Sequence, residues 1–214
     1  MTVSKKDQIR ALLKSIETGD LKAIAVVNEA KYIQHNPQTH EGSEGLASLF
    51  RRLSKTSPRV NIVRAFEDGD FVFAHTEYDF ATRKIGFEVF RFEDGQAVEH
   101  WDNIQQRYGP NPSGRSMVDG PTVAVDHEQT ENNRALVRSF IEVVLVGGHI
   151  DRLPDFVGDS TYAEHNPRLA DGASSLRVAL EIADESGRRI DYHRVHRYSL
   201  PDDLEIEKRS NTLS

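Results

Sequence analysis

Two kinds of apolar periodicity follow one another along the chain. Apolar residues three and four positions apart predict helices at about 9–18, 21–28 and 43–56, because this spacing places them on one helical face. From residue 60 the apolar period becomes two, which predicts strands at 60–66, 71–80, 84–92 and 96–107. Asp-Gly pairs lie between neighbouring strands and are typical of hairpin turns. Helices followed by an antiparallel sheet predict an α+β fold, with the helices packed on one sheet face.

One stretch of the chain occurs again 130 residues later. The segment at 32–37 returns at 162–167, with Tyr, His, Asn and Pro in the same places, and Gly42 returns as Gly172. A fixed offset of a whole domain length predicts two related domains. We expect a complete domain at 1–107, a Gly- and Pro-rich linker at 108–127 and a second unit at 128–214. The second unit is shortened, because it has a predicted strand at 189–198 and no counterpart of the second hairpin.

Composition excludes several classes of protein. The chain has 214 residues, of which 37% are hydrophobic and 29% charged, as in an ordinary water-soluble protein. A net charge of −7 argues against a nucleic-acid partner, and no apolar run is long enough to span a membrane. The absence of cysteine excludes disulfides and thiolate nucleophiles. The start of the chain lacks the apolar run of a secretory signal, so we expect a cytoplasmic protein.

The last predicted hairpin carries the strongest candidate chemistry. With a three-residue loop at 93–95, Phe90 would oppose Val98, and Glu88 would oppose His100, with Asp102 next along the same face. Two carboxylates and an imidazole on an apolar face suit general acid–base catalysis, because burial and a neighbouring like charge raise a carboxyl pKa. A register shifted by one residue would separate these groups and place Glu88 with Ala97, Glu99 and Trp101. The alternative interpretation of Glu88 and His100 is an ordinary cross-strand pair.

Other polar residues give weaker indications. His35 and Asn36 precede a proline in a loop, which favours a structural role, with contact to a ligand as the alternative. His75 alternates in phase with Phe71 and Phe73, and the sequence leaves open whether it faces a pocket. The pairs His35/His40 and His193/His196 lack the third ligand of known zinc sites, so we expect no metal. No phosphate-binding glycine-rich loop is present, so we expect no nucleotide cofactor.

Together these motifs resemble the SnoaL-like polyketide cyclase branch of the nuclear transport factor 2-like superfamily. The resemblance depends on Tyr-x-x-His-Asn-Pro at 32–37 followed by Gly42, and on the segments 87–95 and 99–105. It implies a conical barrel in which a curved antiparallel sheet wraps round three helices and encloses an apolar pocket. It also implies dimerisation through the sheet and catalysis without metal or cofactor, in which an aspartate removes a proton next to a carbonyl for an intramolecular aldol closure.

The resemblance assigns roles to individual residues. Asp102 matches the acid/base aspartate, and Glu88 lies where relatives often have an acidic or histidine partner. The candidate catalytic residues are therefore Asp102, Glu88 and His100, and the candidate ligand contacts are Tyr32, His35, Asn36, His75, Phe90 and Trp101. We expect a cofactor-independent cyclase or isomerase acting on a small hydrophobic carbonyl compound; the alternative is a non-catalytic binding or assembly module. The second unit has no residue matching Asp102, so we expect a structural half, and either a homodimer or an intramolecular pseudo-dimer.

Overall fold

The computed structural model describes residues 3–185, with side chains described to residue 182, and the chain divides into two compact units. The first unit contains Met1–Gly109 and Ser116–Val123, and the second contains Pro110–Arg115 and the chain from Ala124 onward. The segment expected to be a linker is thus shared between the units. The domain boundaries expected from the sequence stay a prediction. The predicted strand at 189–198 lies outside the described residues.

Three short helical segments precede the four long strands of the first unit. Ser4 caps the first helix by accepting a hydrogen bond from the Asp7 N–H, and Asp20 caps the next helical segment by accepting one from the Lys22 N–H at 3.0 Å. Gly42 begins the next α-helix with φ of 76°, a conformation that suits glycine. The elements are α1 (Lys5–Lys14), a 3-10 helix (Leu21–Val26), β1 (Ile33–Gln34), α2 (Gly42–Ser54), β2 (Arg59–Asp68), β3 (Phe71–Asp79), β4 (Arg83–Glu93) and β5 (Gln96–Gln106).

The five strands form one sheet in the order β1-β5-β4-β3-β2. All neighbours are antiparallel except β1, which runs parallel to β5. The predicted α+β class is therefore confirmed. One face of the sheet, called the inner face here, packs on the helices: Val72 and Phe90 from the sheet share a buried core with Ile9 and Phe50 from α1 and α2. The opposite face is called the outer face.

The turn of the second hairpin differs from the expected one. Glu93 pairs with Gln96, so the loop contains two residues, Asp94 and Gly95, and not three. Their φ values of 51° and 80° are both positive, as a type I′ turn requires. A bulge then follows Arg91 and leaves one extra residue on β5. Turn and bulge together shift the pairing of the two strands.

This shift corrects the predicted register. Phe90 pairs with His100, and Glu88 pairs with Asp102. The expected pairs Phe90–Val98 and Glu88–His100 are therefore wrong by two residues. Because two is an even number, the side chains of Glu88, His100 and Asp102 still lie on one face, as predicted. The alternative register, shifted by one residue, is also wrong.

The second unit has a smaller core. Its described elements are a 3-10 turn (His127–Gln129), α3 (Thr130–Phe140), a π-helical turn (Ile141–Val146), a 3-10 helix (Ile150–Asp155) and α4 (Ala173–Glu185). Val144, Leu153, Ala173 and Leu180 are buried together. Among the described residues of the whole chain, no helix combines the length and apolar character that crossing a membrane requires.

Local geometry recurs between the two units at the offset seen in the sequence. Asn36 Oδ1 accepts from the N–H of residue 38 at 2.8 Å, and Asn166 Oδ1 accepts from the N–H of residue 168 at 3.0 Å. Gly42 and Gly172 both have positive φ, 76° and 98°. The two His-Asn-Pro loops thus adopt similar turns, each stabilised by its own asparagine.

Candidate functional site

Three ionisable side chains meet on the inner face of the sheet. Glu88 and His100 are almost fully buried, with 2% and 6% of their surface exposed, and Asp102 is half-buried. Glu88 Oε2 lies 2.8 Å from His100 Nε2. Carboxylate and imidazole atoms of all three residues lie within 4.8 Å of one another. The structure thus brings together the three residues that the sequence suggested for catalysis.

The remaining oxygen of Glu88 is held by a residue that sequence reasoning missed. The hydroxyl of Tyr78, on the neighbouring strand β3, donates to Glu88 Oε1 at 2.6 Å. Burial, followed by the charge of Glu88, raises the pKa of Tyr78 well above its ordinary value, so the phenol keeps its proton and remains a donor. Phe90 stacks on the His100 ring with 4.2 Å between ring centres. Glu88 therefore lies in an apolar wall with both oxygens engaged.

Gly86 makes room for this contact. A Cβ atom at Gly86 would lie 2.6 Å from Thr76 Oγ1, 2.7 Å from the Tyr78 ring and 2.9 Å from Glu88 Oε1. Contacts this short do not occur between real side chains, so any larger residue would push the tyrosine or the carboxylate aside. The glycine is thus part of the site, although it has no functional group.

Strand β1 and the loop after it supply two amide side chains. Gln34 Oε1 lies 2.8 Å from His100 Nδ1, and Asn36 Nδ2 donates to Asp102 Oδ2 at 2.5 Å. Because Asn36 Oδ1 accepts from a backbone N–H, the orientation of its amide is fixed and the nitrogen faces Asp102. Asn36 was predicted as a ligand contact, whereas Gln34 was missed. Alternation along 32, 34 and 36 could have indicated it, had a strand been expected there.

Asp102 is the member of the cluster that has an oxygen available to a ligand. No described residue donates a hydrogen bond to its Oδ1 atom. Burial and then the charge of Glu88 raise the pKa of Asp102, while His100 and the hydrogen bond from Asn36 oppose the rise. A raised pKa makes a carboxylate a stronger base. Asp102 can therefore exchange a proton closer to neutral pH than an ordinary aspartate.

Tyr32 points its side chain to the same face as Gln34 and Asn36. Its hydroxyl is buried, with 4% of the residue exposed, and makes no hydrogen bond of ordinary geometry with the described residues. Gln34 is close enough to lower the pKa of Tyr32 slightly, but burial dominates and Glu88 and Asp102 add to it, so the pKa is raised and the phenol stays protonated. A buried hydroxyl without an acceptor is unusual and could donate to a bound molecule.

Two predicted ligand contacts lie on the other side of the sheet. His35 stacks on Trp101, with 5.0 Å between ring centres and an angle of 5°, and its Nε2 lies 2.9 Å from Glu99 Oε1. Glu99 and Trp101 alternate with His100 and Asp102 along β5, so they belong to the outer face. The structure therefore does not bring His35 and Trp101 together with Asp102.

His75 also belongs to the outer face. It pairs in register with Phe87, and the two rings stack with centres 4.4 Å apart. The inner-face positions of β3 are its neighbours Ala74 and Thr76, which are fully buried. The structure therefore does not bring His75 together with the inner-face cluster, because strand alternation turns its side chain to the opposite face.

The cluster has the donor types of a metal site but not an open arrangement. A histidine nitrogen and two carboxylates could ligate a cation. In this structure, however, both oxygens of Glu88 and both ring nitrogens of His100 already have partners. A cation would have to displace these hydrogen bonds before it could bind.

Residues 9–100 match the model of the SnoaL-like domain. The first unit therefore contains a SnoaL-like domain, as the sequence motifs suggested. No curated protein matches the chain.

Several solved structures are similar to about half of the chain. TsrD from Streptomyces laurentii is 20% identical, with 48% of this chain and 91% of that chain covered and a TM-score of 0.40. IdmH, a putative polyketide cyclase from Streptomyces antibioticus, is 17% identical over 46% and 90%, with a TM-score of 0.38. An epoxide hydrolase from M. tuberculosis is 19% identical over 47% and 81%, with a TM-score of 0.40. These identities and TM-scores show no activity for this chain.

Proposed function

We propose that the first unit binds a small hydrophobic carbonyl compound and that Asp102 acts on it as the acid/base, without a cofactor. The observation that supports this most directly is the environment of Asp102: Asn36 holds one oxygen, no described residue donates a hydrogen bond to the other, and the pKa is raised. A carboxylate of this kind can remove a proton from carbon next to a carbonyl. The reaction class is enolisation followed by cyclisation or isomerisation.

Tyr32 suits the other half of this chemistry. Removing a proton next to a carbonyl places negative charge on the carbonyl oxygen. The Tyr32 hydroxyl, buried and without an acceptor among the described residues, would donate to that oxygen and stabilise the charge. Asp102 gains the proton and becomes neutral, so the step needs no co-reactant.

Deuterium exchange tests the proposal without knowledge of the natural substrate. Cyclic ketones and polyketide-like aromatic ketones are first screened for a rise in melting temperature, because a ligand that binds only the folded form stabilises it. Hits are then incubated with the protein in D2O, and loss of the proton next to the carbonyl is followed by NMR. Wild-type protein accelerates the exchange, and Asp102→Asn abolishes the acceleration while keeping the ligand-induced stabilisation.

A matched control lies on the same strand. Glu99→Gln makes the same carboxylate-to-amide change on the outer face and should leave exchange unchanged. If no ketone exchanges faster with wild-type protein than in buffer, or if Asp102→Asn keeps full activity, the proposed acid/base role is wrong.

The second candidate is a non-catalytic binding or assembly module of the same fold. It is favoured by the full engagement of Glu88 and His100, since a buried network with every polar atom satisfied also occurs for purely structural reasons. A binding module would be stabilised by ligands, and neither kind of module would accelerate exchange in any variant.

We also propose that the second unit is a related copy of part of the first. The support is the recurrence of the asparagine-stabilised turn and the positive-φ glycine at the same offset. Such a chain would form either a homodimer or an intramolecular pseudo-dimer. Light scattering separates the two, because a monodisperse monomer contradicts the homodimer.

A further inference from the structure

A backbone hydrogen bond fixes the orientation of the Gln34 side-chain amide. Its Oε1 atom receives the backbone N–H of Asn36 at 3.0 Å and lies 2.8 Å from His100 Nδ1. A backbone N–H can only donate, so the atom that receives it must be the oxygen of the amide and not its nitrogen. The position of an amide oxygen is usually a matter of assignment, but here the loop itself decides it.

The state of the His100 ring follows from this. The Gln34 oxygen can only accept, so His100 Nδ1 must carry a proton. The other ring nitrogen lies 2.8 Å from Glu88 Oε2, a distance that requires one proton between the two atoms. That proton belongs either to His100 Nε2 or to Glu88. In both cases the Glu88–His100 pair carries no net charge.

We propose that Gln34 is a positioning residue that keeps His100 protonated at Nδ1 and thereby aims Nε2 at Glu88. The ring then cannot turn towards a ligand, and the Glu88–His100 pair stays neutral beside Asp102. Asp102 is left as the single carboxylate of the cluster that can take up a proton from a ligand. This consequence for catalysis rests on the proposed function, whereas the protonation of His100 does not.

The second unit indicates that the loop alone does not require glutamine at this position. Glu164 stands at the place of Gln34, and its Oε1 accepts the N–H of Asn166 at 2.8 Å, as Gln34 accepts the N–H of Asn36. A carboxylate therefore satisfies the turn equally well. In the first unit a carboxylate at position 34 would add a third acidic group beside Glu88 and Asp102. The amide supplies the same acceptor without that charge.

Nitrogen NMR of the histidine rings tests the proposal. Protein with ¹⁵N-labelled histidine is compared with the His100→Gln variant, which identifies the His100 signals. Near neutral pH, His100 of the wild-type protein should show a protonated Nδ1. In Gln34→Leu this proton should be lost, because Nδ1 no longer has an acceptor. Gln34→Glu keeps an acceptor oxygen and should restore the protonated Nδ1.

The outcomes are distinct. A wild-type His100 with an unprotonated Nδ1, or unchanged His100 signals in Gln34→Leu, overturns the proposal. If Gln34→Leu does not fold, as judged by circular dichroism, the wild-type spectrum and Gln34→Glu still decide. Failure of the deuterium-exchange experiment would refute the acid/base role of Asp102 and leave this NMR result unaffected. If exchange is observed, Gln34→Leu should slow it while retaining ligand-induced stabilisation.

Discussion

Replacing Tyr78 by phenylalanine tests the buried network most directly. The change removes one hydroxyl and leaves the ring. That hydroxyl donates to Glu88 at 2.6 Å, and both residues are at most 3% exposed, so no water can replace it. Glu88 is a charged acceptor when the proton that it shares with His100 lies on His100 Nε2. Loss of a hydrogen bond to a charged group then costs about 1.5–3 kcal/mol, and the stranded acceptor places the expected loss in the upper part of that range. We expect Tyr78→Phe to lower the free energy of unfolding by about 2–3 kcal/mol.

The chain offers a specific probe for this measurement. Its one tryptophan, Trp101, lies in the sheet of the first unit, so urea unfolding followed by tryptophan fluorescence reports on that unit. The matched control is Tyr108→Phe, because Tyr108 is 51% exposed and the same atom is removed there. We expect the control to change stability by less than about 0.5 kcal/mol.

A double-mutant cycle ties the effect to Glu88. In a Glu88→Gln background the acceptor is a neutral amide, so Tyr78→Phe should cost only about 1 kcal/mol. Equal effects of Tyr78→Phe and Tyr108→Phe would refute the reasoning. So would a cost of Tyr78→Phe that is the same in the wild-type and the Glu88→Gln backgrounds.

Three further predictions concern the same site. Because the pKa of Asp102 is raised in the folded protein, ionisation of Asp102 opposes folding. Asp102→Asn should therefore raise the free energy of unfolding near pH 7, as measured by urea titration. In urea titrations at several pH values, this gain should shrink as the pH falls through the raised pKa towards 3.8. A gain that does not vary with pH would contradict this. Gly86→Ala should destabilise the first unit and weaken ligand-induced stabilisation, because the new methyl group collides with Tyr78; an unchanged melting temperature would contradict the tight packing. Ligand binding and deuterium exchange should persist in EDTA, and a loss that zinc restores would indicate that a metal takes part.

Much of the fold could be predicted from local patterns. The change of apolar period indicates the helices and the four long strands. Glu88, His100 and Asp102 were placed on one face, because strand alternation survives an even shift in register. The bulge after Arg91 was not predictable, since it depends on how the strands curve and leaves no local signal.

Other parts of the site depend on contacts between distant segments. β1 has only two residues, too few for a periodic pattern, and it pairs with β5 across more than sixty residues of chain. The sequence therefore contains no indication of the role of Gln34, and it indicates Tyr32 only as a candidate ligand contact. The contact of Tyr78 with Glu88 was not predictable either, because nothing in its own segment shows that Gly86 on the next strand leaves space for its ring.

Because β1 is so short, a change of one residue in its length would alter which side chains face the cluster. His35 lies between Gln34 and Asn36 in the sequence, and successive side chains point to opposite faces of the sheet. His35 therefore lies on the outer face, and both amides lie on the inner face. Deleting or inserting one residue before Gln34 would exchange these assignments, turning the imidazole of residue 35 inward and both amides out. The number of residues from Tyr32 to Pro37 therefore determines which side chains reach the cluster, as much as the identity of those residues does.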